Sequence, residues 1–252
     1  MDSVSLFILV FWISGCSPPP ETVPEPWVSL PADEWPDFAL TNEVSFTDTT
    51  FHNLANAFLV NTGTDTLGVS CKHLFMVFEH PPSITSIDLG PDFKYWTMYP
   101  RNEPGKTVRV IRLINTNPDE PIGYFNTLKD RDWIILEVVK KDTLPYPLKI
   151  RLKPLEKYEV VYGVGWGSNP TDSLRPEITT MQCYKAMGNY YYMKVLSKKS
   201  HPAGKSGSPV IDKNGYLVGI ASGAEGKLAV IGSVQYLTRL FDQYHISYVK
   251  DY

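Results

Sequence analysis

Short apolar segments, each closed by a cluster of Gly, Pro, Asn or Asp, recur along this chain and confine it to an all-β fold. Residues 107–113 alternate apolar and polar with period two. Residues 133–139 form a continuous apolar run broken only by Glu137. Residues 57–60 and 66–70 flank the turn 61–65 and predict a hairpin. In the second half, residues 158–164, 179–186, 190–196, 217–221 and 228–231 read as further strands. One helix is expected at the end. Ser233 can cap it, and Val234, Leu237, Leu240, Phe241 and Tyr244 share one face.

A chain of 252 residues, 43% hydrophobic and 13% aromatic, can bury a sizeable core in one or two domains. Its net charge of −3 gives no sign of a nucleic-acid partner. The apolar run 6–13 is far shorter than the ~20 residues that span a bilayer and suits a signal-peptide core. It ends in Ile13-Ser14-Gly15-Cys16, which resembles the bacterial lipobox, although no Lys or Arg precedes it. We therefore expect a signal peptide over 1–15, lipid on Cys16, and a Pro-rich tether over 16–37. The expected location is the bacterial cell envelope, anchored to the membrane by lipid. An ordinary secretory signal with an incidental cysteine is the alternative. Cys71 and Cys183 are read as free, buried thiols. The sequence has no H-x-x-x-H, C-x-x-C or Asp-rich calcium loop, and neither metal nor cofactor is expected.

The chemistry points to Gly204-Lys205-Ser206-Gly207-Ser208-Pro209. Two glycines permit a tight loop that turns the amides of Gly204 and Ser206 toward one point. Convergent amides form an oxyanion hole, and a serine Oγ beside them can attack a carbonyl. A Gly/Ser/Pro cluster is equally the composition of a surface loop. A nucleophilic serine needs a base, and the base needs a carboxylate. Of the five histidines, His73 alone directly follows a hairpin pattern. Asp132 precedes the apolar run, where its carboxylate could be shielded yet reach an imidazole.

In this order and spacing, 59 residues from His73 to Asp132 and 74 more to Ser206, the chain resembles the chymotrypsin-like serine proteases. It is most similar to their bacterial V8-like and HtrA-like branch. Val69-Ser70-Cys71-Lys72-His73 resembles the histidine segment of that family. Asp132-Trp133-Ile134-Ile135-Leu136 resembles its aspartate strand, and Gly204 to Pro209 its serine loop. Gly219-Ile220-Ala221-Ser222-Gly223 resembles the strand lining its substrate cleft. The resemblance implies two six-stranded antiparallel β-barrels, over 38–147 and 148–252, with a triad in the cleft between them. It implies a serine endopeptidase that acts on proteins or peptides without a cofactor. His73, Asp132 and Ser206 would form the triad, with Gly204 and Ser206 as oxyanion donors and Ser200, Ala221, Ser222 and Gly223 lining the substrate site. His201, close to Ser200, is a candidate for binding an acidic side chain. Lys205 departs from the acid or amide usual before the nucleophile, so activation by a newly cut N-terminus is not implied. The alternative is a protease-fold envelope lipoprotein acting as a binding or sensor module.

Overall fold

A computed structural model describes residues 23–79, 82–141, 143–168, 174–198 and 204–250. The expected signal segment, Cys16 and the first part of the expected tether lie outside the described residues. Strands β1 (Leu40–Phe46), β2 (Thr50–Asn61), β3 (Thr66–Ser70), β4 (Ser86–Ile87), β5 (Phe93–Tyr99), β6 (Val108–Leu113), β7 (Asn117–Pro121) and β8 (Ile134–Val138) build the first half. Six of them close an antiparallel ring in the order β1-β5-β6-β8-β3-β2, sealed by β1 against β2. β4 and β7 pair separately, and the one-turn helix α1 (Phe125–Leu128) precedes β8. The expected hairpin is β2–β3, with Ala57 opposite Ser70. Strand β9 (Leu148–Lys149) adds to β2 in parallel. The first unit therefore extends to Lys149, two residues beyond the expected boundary at 147, and Ile150 already bridges to Leu217.

The second half is a closed six-stranded antiparallel barrel. Its strands are β10 (Val160–Gly165), β11 (Glu177–Ala186), β12 (Tyr190–Val195), β13 (Pro209–Ile211), β14 (Leu217–Glu225) and β15 (Leu228–Ser233), in the order β10-β11-β12-β15-β14-β13. The terminal helix is α2 (Val234–Gln243), and the Ser233 hydroxyl accepts from the Gln235 amide at 3.1 Å as expected of its cap. The first barrel is filled by residues such as Phe58, Trp96 and Trp133, all without exposed surface. Phe58 and Trp133 meet edge to face with centroids 6.3 Å apart. The second barrel closes over Val161, Met181, Met193 and Ile231. Cys71 and Cys183 are free and buried, as read.

Each end of the described chain straps the opposite barrel. Near the C-terminus, the Val249 amide bonds Thr62 O at 2.7 Å in the β2–β3 turn, and Thr64 Oγ1 donates to Ser247 O at 3.0 Å. Near the N-terminus, the Glu25 amide bonds Asn214 O at 2.9 Å, and the Tyr216 hydroxyl donates to Val23 O at 2.9 Å. Residues 23–37, assigned to the tether from their proline content, are therefore packed. The segment forms two short 3₁₀ turns, Pro26–Ser29 and Ala32–Glu34, and Trp27, Trp35 and Phe38 form one aromatic cluster with Tyr146, with ring centroids of Trp27 to the other three at 5.2, 5.2 and 6.0 Å. Glu25 is buried beneath it and paired with Lys149 Nζ at 2.7 Å and with the Tyr146 hydroxyl.

Trp27 is 6% exposed, and truncating it leaves a void between the strap, the interbarrel linker and the second barrel. Trp27→Ala should cost about 3 kcal/mol in urea unfolding, as buried aromatic truncations do. An effect close to zero would show that residues 23–37 contribute no packing.

Candidate active site

β3 ends at Ser70, and the chain turns into a 3₁₀ segment, Lys72–Phe78, that presents His73 at the barrel mouth. Asp132 stands just before β8 and has no exposed surface. A buried carboxylate must be satisfied. Asp132 accepts from His73 twice, at 2.8 Å from its backbone amide and at 2.7 Å from Nδ1. With Nδ1–H given to Asp132, the neutral imidazole carries its lone pair on Nε2, turned away from the carboxylate. The Phe125 ring stands perpendicular to the imidazole, with centroids 5.7 Å apart. The Cys71 sulfur lies 3.8 Å from Nε2. Burial works against charge on His73, but the Cys71 and Asp132 sides outweigh it and hold its pKa well above the ordinary 6.5.

The residues preceding His73 and Asp132 are also joined. Lys72 and Arg131 both reach Glu120, with Lys72 Nζ at 3.0 Å and Arg131 Nε at 2.7 Å from Oε1. Burial pulls the Lys72 ammonium below its usual pKa, and Glu120 counters it. This three-charge cluster fixes the two chain segments that carry the imidazole and the carboxylate.

The serine loop lies against β2 and β10. Gly204 and Gly207 have φ of +81° and +80°. A Cβ on Gly207 would stand 2.0 Å from Asn56 O, and one on Gly204 2.2 Å from Ser168 N, so neither position admits a side chain. The Ser208 amide donates to Lys205 O at 3.0 Å, and the Gly207 amide to Ala221 O at 2.8 Å. Carbonyl and N–H point oppositely in a trans peptide, so the bond to Lys205 O directs the Ser206 N–H outward from the loop. Among the described residues the amides of Gly204 and Ser206 have no backbone partner, as oxyanion donors require. No hydrogen bond joins Ser206 Oγ to His73 among the described residues, and Nε2 has the Cys71 sulfur beside it. Ser70, three residues before His73, donates its hydroxyl to Asn56 O at 2.6 Å, while the Asn56 amide donates to Ser206 O at 2.6 Å. The histidine and serine segments thus sit on either side of one residue of β2.

Lys205 Nζ bonds Gly165 O and Glu177 Oε2, each at 2.8 Å. Burial lowers the Lys205 pKa, and the Glu177 carboxylate opposes that shift. The loop is therefore tied to β10 and β11 of its own barrel by Lys205.

Beside Ser206 lies a cavity of about 250 Å³ with Met181, Ala221, Gly223, Val230 and Ile231 in its walls. Ala221 and Gly223 were expected there. Ser222 was also expected, but strand alternation turns it away: a bulge sits between Ala221 and Gly223, and its hydroxyl is buried within 3.5 Å of the position a Cβ on Gly232 would take. Ser200 and His201 lie outside the described residues. A larger, open groove of about 900 Å³ lies between residues 32–39 and the second barrel, and neither His73 nor Ser206 lines it.

Several site residues were not read from the sequence. Phe125 lies over Gly223, where a Cβ would stand 2.6 Å from the ring. Lys129 reaches across the cleft to Glu225 at 2.7 Å, over the rings of Tyr190 and Tyr192. Asn56 and Glu177 hold the serine loop. Each depends on a contact distant in sequence, and no local motif marks it.

Solved structures that share this architecture include three of one protease. The Rv3671c protease from M. tuberculosis in its active form matches with a TM-score of 0.56 at 14% identity, covering 97% of each chain. Its inactive form matches at 0.53 and 15% identity, over 89% of this chain and 98% of that one. The inactive form of its Ser343Ala mutant matches at 0.53 and 15%, over 90% and 96%. No protein-family model matches the chain, and no curated protein matches it in sequence. The structural matches establish the chymotrypsin-like fold of two six-stranded barrels with a C-terminal helix.

The raised pKa of His73 has a definite sign. Its folded value exceeds the unfolded one, so the imidazolium stabilises the fold fully below about pH 6.5, and that contribution is lost as pH rises through the folded value. The imidazole should titrate above pH 6.5 by NMR, and Cys71→Ala should bring its midpoint down. A midpoint at or below the ordinary value in the unaltered protein would contradict the arrangement.

Proposed function

We propose that the chain is a serine endopeptidase in which Ser206 is the nucleophile, His73 the general base and Asp132 the carboxylate that orients it. The observation carrying this reading is the double hydrogen bond of His73 to the fully buried Asp132, with a glycine-flanked serine loop against the same strand. Ser206 Oγ attacks the peptide carbonyl as His73 Nε2 takes its proton. The tetrahedral oxyanion is held by the amides of Gly204 and Ser206. His73 then protonates the leaving amine, leaving an acyl-enzyme that water hydrolyses by the same steps. Catalysis needs neutral His73, so turnover rises with pH through the raised imidazole pKa.

The cavity beside Ser206 supports a neutral apolar side chain before the scissile bond. Met181, Val230 and Ile231 give it apolar walls; of the two lysines in its lining, Lys205 is engaged by Glu177 and Lys227 is exposed on the β14–β15 turn. Burying a Leu or Phe there is worth about 1.5–3 kcal/mol. A binding or sensor module is the second reading, favoured by the missing Ser206–His73 hydrogen bond; apo active sites also leave that bond open.

One experiment separates the two. Protein beginning at residue 23 should label with a serine-reactive fluorophosphonate with no further processing, because Lys205 is held by Glu177 and needs no new N-terminus. Ser206→Ala should abolish labelling and lower turnover by at least ~10³. A peptide library should show cleavage after Leu, Phe, Met or Val. Labelling that persists in Ser206→Ala would refute the nucleophile, and dominant cleavage after Arg, Lys or Glu would refute the side-chain preference.

We further propose an envelope protein anchored by lipid on Cys16, supported by Ile13-Ser14-Gly15-Cys16 at the end of the apolar run. Two or three acyl chains make such an anchor stable where one does not. Mass spectrometry of the native N-terminus should show acylated Cys16. An unlipidated N-terminus at another residue would leave the protein a secreted one.

A further inference from the structure

We infer that Asn56 is a positioning residue that fixes the oxyanion loop from the opposite barrel. This rests on the reading of Ser206 as nucleophile. Asn56 lies in β2 of the first barrel and has no exposed surface. Every polar atom of its side chain is directed at the second barrel. Nδ2 donates to Gly204 O at 2.7 Å, to Trp166 O at 3.1 Å and to Ser206 O at 3.3 Å. Oδ1 accepts from the Trp166 amide at 2.7 Å. The main chain adds its own amide to Ser206 O at 2.6 Å. The carbonyls on both sides of Lys205-Ser206 are therefore held by one residue, and the intervening carbonyl of Lys205 is held by Ser208. Three consecutive peptide planes are fixed, and with them the direction of the Ser206 N–H.

The strand is reshaped to deliver this side chain. Asn53 and Ala55 take φ of +53° and +49°, a region that non-glycine residues rarely occupy. The β1–β2 register slips on both sides of Asn42. Thr41 Oγ1 bonds Ala55 O at 3.0 Å and Asn42 Nδ2 bonds Leu54 O at 2.8 Å, which holds the irregular backbone in place. Bulges re-aim side chains, and strained backbone next to a site is retained when the site needs it. The side chain so aimed is that of Asn56, and it points at the loop that carries Ser206.

The test compares Asn56→Ala with Leu59→Ala, a truncation of a fully buried core residue in the same strand. Asn56→Ala should lower kcat by about 10²-fold, the loss expected of a loop displaced by ~1 Å, while KM stays within about threefold. Affinity for a peptide boronic acid, which forms a tetrahedral adduct on the serine, should fall in step with kcat/KM. Amide hydrogen exchange over residues 204–208 should accelerate. Leu59→Ala should lower thermal stability yet leave these readouts unchanged. Asn56→Ser, which keeps a donor, should recover part of the loss, and it serves as the test should the alanine variant not fold. Unchanged kcat and loop exchange in a folded Asn56 variant would overturn the inference, as would Leu59→Ala reproducing the losses. If the unaltered protein neither cleaves peptides nor labels at Ser206, the endopeptidase reading fails by itself, and loop exchange still decides whether Asn56 anchors the loop.

Discussion

A site at the junction of two barrels works only if the junction is polar, directional and dry. Apolar packing alone would hold the barrels together without fixing their register, because it has no preferred direction. The seam here contains Asn56, which bonds Gly204, Ser206 and Trp166 of the second barrel. It also contains the Trp166 indole, which donates to Ala39 O at 2.8 Å, and Arg101, which donates to Gly167 O at 2.7 Å. Buried polar groups carry a large penalty when left unpaired, so each of these bonds excludes neighbouring arrangements of the two barrels. The terminal straps add area to the same seam from outside. The orientation of the serine loop relative to His73 follows from this register.

The His73 side is fixed by charge instead. Asp132 has no contact with water and is satisfied by the residue it orients. Its neighbour Arg131 and the neighbour of His73, Lys72, converge on Glu120. A buried lysine with one carboxylate for a partner loses a great deal if the pair is broken, typically about 3–5 kcal/mol. The cluster thus ties β7 to the segments flanking β3 and β8, and a shift of either segment would strand a charge.

Much of this was legible in the sequence. Strand-forming runs have period-two or continuous apolar patterns that need no partner to be recognised, and β2, β3, β6, β8, β10, β11, β12, β14 and β15 carry them, whereas the three-residue β13 is too short to show a pattern. β1 and β5 escaped notice because Asn42 and Lys94 interrupt their apolar face; Asn42 is buried in its own hydrogen-bond network and reads as a loop residue. The segment 23–37 has tether composition, and only Trp27 and Trp35 hint that it packs. Gly204, Ser206, His73 and Asp132 stand in short motifs whose chemistry is local. Asn56, Phe125, Glu120 and Glu177 act on residues far away in sequence, and a single sequence carries no signal for such pairings. Ser222 was assigned to the cleft with its neighbours because the whole segment resembles a cleft-lining strand, and a resemblance over consecutive residues does not separate Ala221 and Gly223, which line the cavity, from the buried Ser222 between them.

Lys205 shows how a departure from a motif can be absorbed by its surroundings. A largely buried ammonium needs acceptors within reach, or its desolvation goes uncompensated. Here the partner belongs to the same barrel: Glu177 at the start of β11, with Gly165 O at the end of β10 as a second acceptor. Both acceptors belong to the barrel that carries the loop, so closure of that barrel is enough to hold Lys205. The loop is then gripped at Lys205 from its own barrel and at Gly204 and Ser206 from the other. Between these two holds, the amides of Gly204 and Ser206 are left without a backbone partner among the described residues.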